Sequence, residues 1–253
     1  MNLANEASYA YEYRVSMDML NGSSLMKPSG YQTIICDVAE MHLSRIHLNI
    51  EDLAQYHVAW VLIASSFEII EPIRSERKVI GHTWHSAQEK LTFRRDLTFT
   101  DEDDNPLFNA VTFTVLMDLT SRRIVRPDKA GFAIGEPLPR FTMEAAPKLR
   151  CRTEMQFCDH RRIYPSHIDC LGHTNNCRYS EFAYDALTED ELSHLDKLRR
   201  MDINFQSELR LGDTFTVRRG HLPDKSSHLI IDGINDQTGK PSFVCQMQFA
   251  TSV

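Results

Sequence analysis

The stretch Arg126-Pro-Asp-Lys-Ala-Gly-Phe-Ala-Ile-Gly-Glu-Pro-Leu-Pro-Arg-Phe-Thr-Met-Glu-Ala-Ala-Pro-Lys148 lies near the middle of a chain of 253 residues. It contains four of the ten prolines, together with Gly131 and Gly135. Because proline continues neither a helix nor a central strand, we expect a linker that runs over the surface. The sequence therefore predicts two domains, residues 1–126 and 150–253, joined by a linker at residues 127–149.

The two halves on either side of this linker repeat one order of elements: a strand, a helix and four strands. Apolar residues at spacings of three and four predict the helices, at Tyr31–His47 and Asn175–Leu187. β-branched and aromatic runs predict the strands, near Tyr11–Met19, His57–Ile70, Arg77–His85, Leu91–Thr100 and Leu107–Asp118, and then Cys151–Phe157, Lys197–Ser207, Thr214–His221, His228–Asn235 and Ser242–Ala250. A helix that is apolar on several sides has to be enclosed. We therefore predict an α+β fold in which two antiparallel β-sheets each wrap around a central helix.

Charge and cysteine content argue against several classes of protein. The chain has 28 Lys and Arg against 35 Asp and Glu, a net charge of −7, which argues against a nucleic-acid partner. We find neither a signal-peptide pattern nor an apolar run of about 18 residues, and so we expect a cytoplasmic protein with no membrane partner. The six cysteines are spread thinly and form no CxxC pair, which is typical of reduced thiols in a cytosol.

The densest group of reactive side chains precedes the second predicted helix, in Asp169-Cys-Leu-Gly-His-Thr-Asn-Asn-Cys-Arg-Tyr179. Gly172 allows a tight turn, and Thr174 or Asn175 would cap the helix. Backbone N–H groups and the positive end of the helix dipole would point into this loop, where an oxyanion is stabilised. The acid and the imidazole of the same loop provide general acid–base capacity near neutral pH.

This loop resembles the D-x-N-x-H-V-N-N-x-x-Y signature of the plant-type acyl-acyl carrier protein (acyl-ACP) thioesterases. Other segments match the same family: Trp60-Val-Leu-Ile, Arg94-Arg-Asp96, Leu119-Thr-Ser-Arg-Arg123 and Ile203-Asn-Phe-Gln-Ser-Glu208. Together these segments extend over most of residues 10–250. The resemblance implies a tandem, or double, hotdog fold, in agreement with the repeated order of elements.

The resemblance also implies an activity: hydrolysis of the thioester of fatty acyl-ACP, which releases a free fatty acid and terminates fatty acid synthesis without cofactor or metal. It places the catalytic network at Asp169, His173 and Glu208. The residues expected to support the oxyanion are Gly172, Thr174, Asn175 and Asn176. The first half is expected to bind the acyl chain and the second half to cleave the thioester, since the first predicted helix lacks such a loop.

Two positions depart from the family pattern. The family's asparagine two positions before the histidine is Leu171 here, so a neighbour or a backbone N–H has to replace its amide. The cysteine that follows the second carboxylate in the family is Leu209 here. This excludes a Cys–His nucleophile at that point and favours water activated by Glu208 or Asp169.

Other functions stay open on the sequence alone. A hotdog dehydratase or hydratase has the same fold and an acid–base pair but needs a β-hydroxyl on its substrate, and Leu171 makes a non-catalytic acyl-binding module conceivable. Asp169, with Asn175 and Asn176, is also explained as a helix cap and turn that has no catalytic role. A zinc site has suitable spacing but lacks a second paired cluster, and its ligands would be His167, Cys170, His173 and Cys177.

Pairs of arginines concentrate much of the positive charge of this acidic chain. We expect some of them to form a basic patch that attracts an acidic acyl carrier protein. The arginines expected in this patch are Arg94, Arg95, Arg122, Arg123, Arg199 and Arg200. Since hotdog units commonly pair through their sheets, we also consider a homodimer.

Overall fold

The first half of the molecule is an antiparallel sheet packed against one long helix. The computed structural model describes residues 9–144, 148–149, 153–223 and 225–250. Its helices in this half are α1 (Pro28–Arg45) and the short α2 (Ile50–Ala54). Its strands are β1 (Tyr11–Arg14), β2 (Val58–Ile69), β3 (Lys78–Glu89), β4 (Thr92–Thr100), β5 (Pro106–Asp118) and the short β6 (Ile124–Val125).

The second half repeats this arrangement. Its helices are α3 (Asn176–Tyr184) and the short α4 (Glu189–Ser193). Its strands are β7 (Gln156–Arg162), β8 (Leu198–Phe205), β9 (Thr214–Leu222), β10 (Lys225–Asn235) and β11 (Pro241–Phe249). The central helices α1 and α3 of the two halves pack against each other.

The strands form one continuous antiparallel sheet in the order β1-β3-β4-β5-β2-β8-β11-β10-β9-β7, with β6 paired to β5. The order of the second half mirrors that of the first, and β2 pairs with β8 at the centre, from Ala64 with Asn204 to Glu68 with Arg200. The predicted α+β double hotdog is confirmed. Its two antiparallel sheets are the two halves of this single sheet.

Helix α1 shows how the sequence positions the core. It begins at Pro28, earlier than predicted, because the fixed φ of proline suits the first turn of a helix. Ile34, Ile35 and Val38 on this helix are fully buried. A Cβ on Gly81 of β3 would lie 3.0 Å from Val38, so this glycine lets the helix approach the sheet closely.

Three predicted elements need correction. The strand predicted at Cys151–Phe157 is wrong, because β7 begins at Gln156, and Cys151 lies outside the described residues. This strand is at the edge of the sheet and mostly exposed, so it lacks the apolar alternation that indicates a strand. The first predicted strand ends at Arg14 and is followed by a 3-10 turn, and α3 ends three residues before Leu187.

The proline-rich linker packs along the sheet of the first half. Its described residues form a 3-10 turn at Pro127–Lys129 and otherwise neither helix nor strand. The indole Nε1 of Trp84 donates to the carbonyl of Arg140 at 2.8 Å, and the N–H of Thr142 donates to buried Asp96 at 2.8 Å. The domain bounds 1–126, 127–149 and 150–253 stay a prediction. No helix that the structure describes is long and apolar enough to span a bilayer.

Candidate active site

The carboxylate of Asp169 organises the loop that precedes α3. Its Oδ1 accepts hydrogen bonds from the N–H of Leu171 at 2.9 Å and of His173 at 3.3 Å. Gly172 has a φ of +78°, which confirms the glycine-dependent turn. The acid therefore holds the histidine in place through the backbone.

The end of the loop is fixed to helix α3 and to the segment after β8. The side chain of Asn175 accepts from the N–H of Cys177 at 2.8 Å, and so Asn175 is the helix cap. Buried Thr174 donates to the carbonyl of Leu209 through its N–H at 3.0 Å and its hydroxyl at 2.8 Å. The N–H of Leu209 donates to the hydroxyl of Tyr179 at 3.2 Å. These contacts tie the histidine loop to the backbone beside Glu208.

His173 and Glu208 meet at the surface between the two halves. The Nε2 of His173 lies 3.3 Å from Oε2 of Glu208. An arginine from the first half, Arg122, donates to Oε1 of Glu208 and lies 3.0 Å from Nε2 of His173 through the same Nη2. Arg210 is the more exposed neighbour, 3.7 Å from Oε2 of the glutamate.

Arg122 reaches this site from a tight turn between β5 and β6. The turn is held by Asp118, whose Oδ1 accepts from the N–H groups of Thr120 at 3.1 Å and Ser121 at 2.6 Å. Arg122 has a φ of +57°, the left-handed region that completes such a turn. A carrier-binding role was expected for this arginine from the sequence, which does not show its contact with the acid–imidazole pair. The match of Leu119–Arg123 to the family was the signal that pointed to it.

The environment keeps His173 neutral. Burial lowers its pKa below the usual value, the charge of Arg122 lowers it further, and Asp169 opposes this effect. Since the guanidinium can only donate, its contact with Nε2 requires a lone pair there and a proton on Nδ1. The imidazole therefore presents a hydrogen-bond acceptor next to the carboxylate of Glu208.

The backbone amides of the loop already have acceptors. The N–H of Gly172 donates to the carbonyl of Asp169 at 3.0 Å, and that of Thr174 donates to Leu209. This contradicts the predicted oxyanion contact from Gly172 and Thr174, because a donor committed to the loop is not directed at a ligand. The backbone N–H of Asn175 likewise donates to the carbonyl of His167 at 2.9 Å, while its side-chain oxygen accepts the capping bond. Asn176 instead lines the cavity described next.

A cavity of about 170 Å³ lies between α1 and the sheet of the first half. Its wall is largely apolar and includes Leu43, Trp60, Leu62 and Phe93. Asn176 is the lining residue that comes from the second half, three positions after His173. The cavity therefore reaches the start of α3, next to the loop that contains His173.

The first half contains a loop with the same geometry and different chemistry. Oδ1 of Asn21 accepts hydrogen bonds from the N–H groups of Ser23 and Leu25 at 2.9 Å each. Oδ1 of Asp169 likewise accepts from the residues two and four positions further along the chain. Ser24 has a φ of +59° at the position that corresponds to Gly172. Leu20 forms an isolated antiparallel β-bridge with Met26, and Ile168 forms the equivalent bridge with Thr174. The equivalents of the loop acid and histidine are thus an amide and a leucine.

Three of the six arginines predicted for the carrier patch are held within the protein. Arg94 is 12% exposed and contacts Asp96 at 2.7 Å, and Arg200 is 12% exposed and contacts Asp202 at 2.9 Å. Arg95 lies against buried His42, 2.6 Å from its Nδ1. The prediction is wrong for these three, since their guanidinium groups pair with internal partners. Asp96 and Asp202 lie two positions along the same strand, and His42 lies on α1.

The two exposed members of the predicted patch lie far apart. Arg123 follows Asp118, which pairs with Val58 at one end of β2. Arg199 is next to Arg200 of β8, which pairs with Glu68 near the other end of β2. Ten residues of a strand span roughly 33 Å. The prediction of a single patch that includes both arginines is therefore wrong. The positive charge beside the site comes from Arg122, Arg123 and Arg210.

The alternative zinc site is not assembled. Among the residues that the structure describes, no three His, Cys, Asp or Glu side chains are arranged to hold a metal. Cys177 is turned toward Cys36 of α1, with which it shares a hydrogen bond, and His173 faces Glu208.

Comparisons with known proteins agree with this geometry. Two family models match, the acyl-ACP thioesterase N-terminal domain over residues 6–130 and its C-terminal domain over residues 153–246. The fold is similar to an acyl-ACP thioesterase from Bacteroides thetaiotaomicron (17% identity, 99% of this chain and 100% of that chain, TM-score 0.79). It is also similar to the 12:0-ACP thioesterase from Umbellularia californica (12% identity, 96% and 97%, TM-score 0.76). A MaoC-like dehydratase from Phytophthora capsici has a related fold (14% identity, 78% and 73%, TM-score 0.51). A search of curated protein sequences finds no match.

Taken with these matches, the fold and the site define a thioester hydrolase of the double-hotdog class. The two models together match most of the chain, which belongs to the acyl-ACP thioesterase family. This confirms the resemblance in the sequence and the predicted activity on fatty acyl-ACP.

Proposed function

We propose that this enzyme holds the acyl chain of fatty acyl-ACP in the first-half cavity and cleaves its thioester at Glu208, His173 and Arg122. The observation that carries the proposal is the contact of one first-half arginine with both members of the acid–imidazole pair. The products are a free fatty acid and the carrier thiol, so the reaction terminates fatty acid synthesis.

The apolar cavity supplies the binding energy for the chain. Each buried CH₂ group contributes about 0.8 kcal/mol, so a cavity walled by Trp60, Leu62 and Phe93 favours an alkyl chain over water. Because Asn176 lines this cavity, a bound chain would have its thioester near the start of α3. The missing acid and histidine in the Asn21 loop support the division into a binding half and a cleaving half.

The proposed chemistry uses water. Glu208 orients a water molecule, whose oxygen attacks the thioester carbonyl carbon while Glu208 accepts its proton. The lone pair on Nε2 of His173 accepts from Arg122 and so holds the guanidinium beside this carboxylate. The carbonyl electron pair moves to oxygen, and the Arg122 guanidinium stabilises the oxyanion. When the carbonyl re-forms, the C–S bond breaks and the departing thiolate takes the proton from Glu208.

Asp169 has a positioning role in this scheme. Its carboxylate is bonded to backbone N–H groups of its own loop, which directs His173 toward Glu208. Of the two candidates for activating the water, the contacts therefore favour Glu208. Asn176 is the side chain at the cavity that can replace the amide lost at Leu171.

The acidic carrier protein is expected to approach at the mouth of the site. Arg123 is exposed and Arg210 is 66% exposed, and both lie beside the catalytic arginine in sequence or space. Local positive charge steers an acidic partner despite the net charge of −7. Association of two chains and a cytoplasmic location stay predictions.

The test is release of carrier thiol from acyl-ACP, followed with a thiol reagent, for E208Q and H173N. We expect both variants to lose nearly all turnover at unchanged folding, while D169N loses less. Glu102, which is 62% exposed and pairs with Lys78, provides the matched control E102Q. Full activity of E208Q or H173N would refute the assignment. Substrate consumption without thiol release would indicate a dehydratase or hydratase, and binding without either would indicate an acyl-binding module.

A further inference from the structure

Two cysteines from different halves of the protein meet where the central helices pack. Cys36 lies on α1 and Cys177 in the first turn of α3, and both side chains are partly buried. Their thiols are hydrogen-bonded to each other, and Nε2 of Gln32 donates to Sγ of Cys36 at 3.2 Å. Neither thiol has a part in the proposed hydrolysis. The pair joins segments that lie 141 positions apart in the sequence.

We propose that Cys36 and Cys177 are an oxidative modification site, at which hydrogen peroxide forms a reversible disulfide between the two halves. The thiols are already in contact, so the reaction needs no unfolding of either helix. Cys36 and Asn176, the neighbour of Cys177, both line the first-half cavity, which gives a small oxidant a path to the pair.

The chemistry assigns different roles to the two sulfur atoms. The hydrogen bond from Cys36 lowers the pKa of the Cys177 thiol and a bond from Thr33 lowers it further, whereas burial opposes them. The same pairing and burial raise the pKa of Cys36. The lowered pKa favours Cys177 as the thiol that attacks peroxide, with Cys36 as the resolving thiol.

The two steps balance without another reactant. The Cys177 thiolate attacks one peroxide oxygen, the O–O bond breaks, and the cysteine becomes a sulfenic acid while hydroxide leaves. Sγ of Cys36 then attacks the sulfenic sulfur and loses its proton, and the displaced hydroxide leaves as water. The two thiols give up two electrons and two protons, and peroxide is reduced to two molecules of water.

The disulfide would change the mouth of the cavity. The sulfur atoms must approach to about 2.05 Å, much closer than two hydrogen-bonded thiols. This draws the first turn of α3, with Asn176, toward α1. We therefore expect oxidation to reduce turnover, an effect that rests on the proposed function, whereas disulfide formation itself does not.

The primary experiment needs no thioester substrate. The purified full-length protein is treated with hydrogen peroxide, free thiols are alkylated, and peptides are mapped without reductant. We expect a Cys36–Cys177 linked peptide that dithiothreitol removes, and no such link in C36S or C177S. Cys158 on β7 provides the matched control, since C158S should still form the link. Recovery of both cysteines as alkylated thiols, or linked only to other partners, would overturn the proposal.

A second measurement tests the consequence for activity. Thiol release by the oxidised enzyme is compared with that of the same sample after reduction, and each variant is referred to its own reduced form. We expect a several-fold, fully reversible loss of turnover in the wild type and in C158S, and none in C36S. A linked peptide with unchanged turnover would refute the effect on the cavity mouth and leave the assignment of Glu208 and His173 unaffected.

Discussion

Replacement of Arg122 by methionine tests the idea that the site is shared between the halves. Methionine keeps an unbranched apolar stem but removes the charge and both donated contacts, to Glu208 and to His173. Loss of one donor to a developing oxyanion costs about 2.7–4 kcal/mol, or roughly 10²–10³ in kcat. Because the Arg122 side chain is 30% exposed, solvent screens part of its charge, and we expect the lower end of this range.

The pH profile gives a second, independent readout. The charge of Arg122 lowers the pKa of His173, so its removal makes the imidazole easier to protonate. Since the neutral imidazole is the active form, the acid limb of kcat/KM should move to higher pH in R122M. R122K should be intermediate, because lysine keeps the charge but cannot present a planar fork to two acceptors.

The assay is thiol release from a short acyl thioester that lacks the carrier, which separates chemistry from docking. Arg126, 72% exposed and paired with Asp128, provides the control R126M, for which we expect no change. A kcat of R122M within a few-fold of the wild type, together with an unmoved acid limb, would refute the role of this arginine.

Four further predictions follow from single residues. G172A should lose about 1–2 kcal/mol of stability in urea unfolding, because alanine is strained at a φ of +78°. R123E should raise KM for acyl-ACP and weaken its salt dependence while a short neutral thioester is unaffected, and an equal effect on both substrates would contradict carrier docking there. L62W should shift the preferred acyl chain to shorter lengths in a chain-length screen, because the larger ring fills the cavity. Burial lowers the pKa of His42 to about 3, and Arg95 and Arg45 act in the same direction. The unfolded chain therefore takes up a proton below about pH 6.5 that the folded chain refuses, so stability should fall by about 1.4 kcal/mol per pH unit toward acid. An unchanged slope in H42Q would contradict this.

The repeated fold could be predicted because each half contains patterns among neighbouring residues that indicate its helices and strands. Apolar spacing, β-branched runs and a proline-rich joint are properties of neighbouring residues, and two copies of the same order reinforce each other. The loop around Asp169 could be predicted for the same reason, since its turn, cap and acid lie within a few positions. The exposed edge strand β7 was misplaced because its polar residues carry no such pattern.

The long-range contacts of the arginines could not be predicted in this way. Arg122 and Glu208 are 86 positions apart and meet only after β2 and β8 have joined the halves. Arg94 and Arg200 appear in the sequence as surface charges, and their contacts with the carbonyl of Met143 and with Glu68 become visible only in the folded chain. Pairing across a completed fold is the step that sequence spacing does not encode.

The two equivalent loops show how one fold came to carry chemistry in only one of its halves. The turn after Asn21 keeps the backbone hydrogen bonds of the turn after Asp169, and an amide oxygen accepts them as well as a carboxylate does. The geometry of the loop is therefore a requirement of the hotdog fold rather than of catalysis. The proposed mechanism needs in addition the imidazole of His173, where the first half has Leu25, and the carboxylate of Glu208 after the paired strand. It also needs a cation near both, which the second half receives from the turn at Arg122. A half that supplies this cation and a cavity has no use for a second reactive loop, because a charged group in place of buried Leu25 would have to be desolvated in the hydrophobic core.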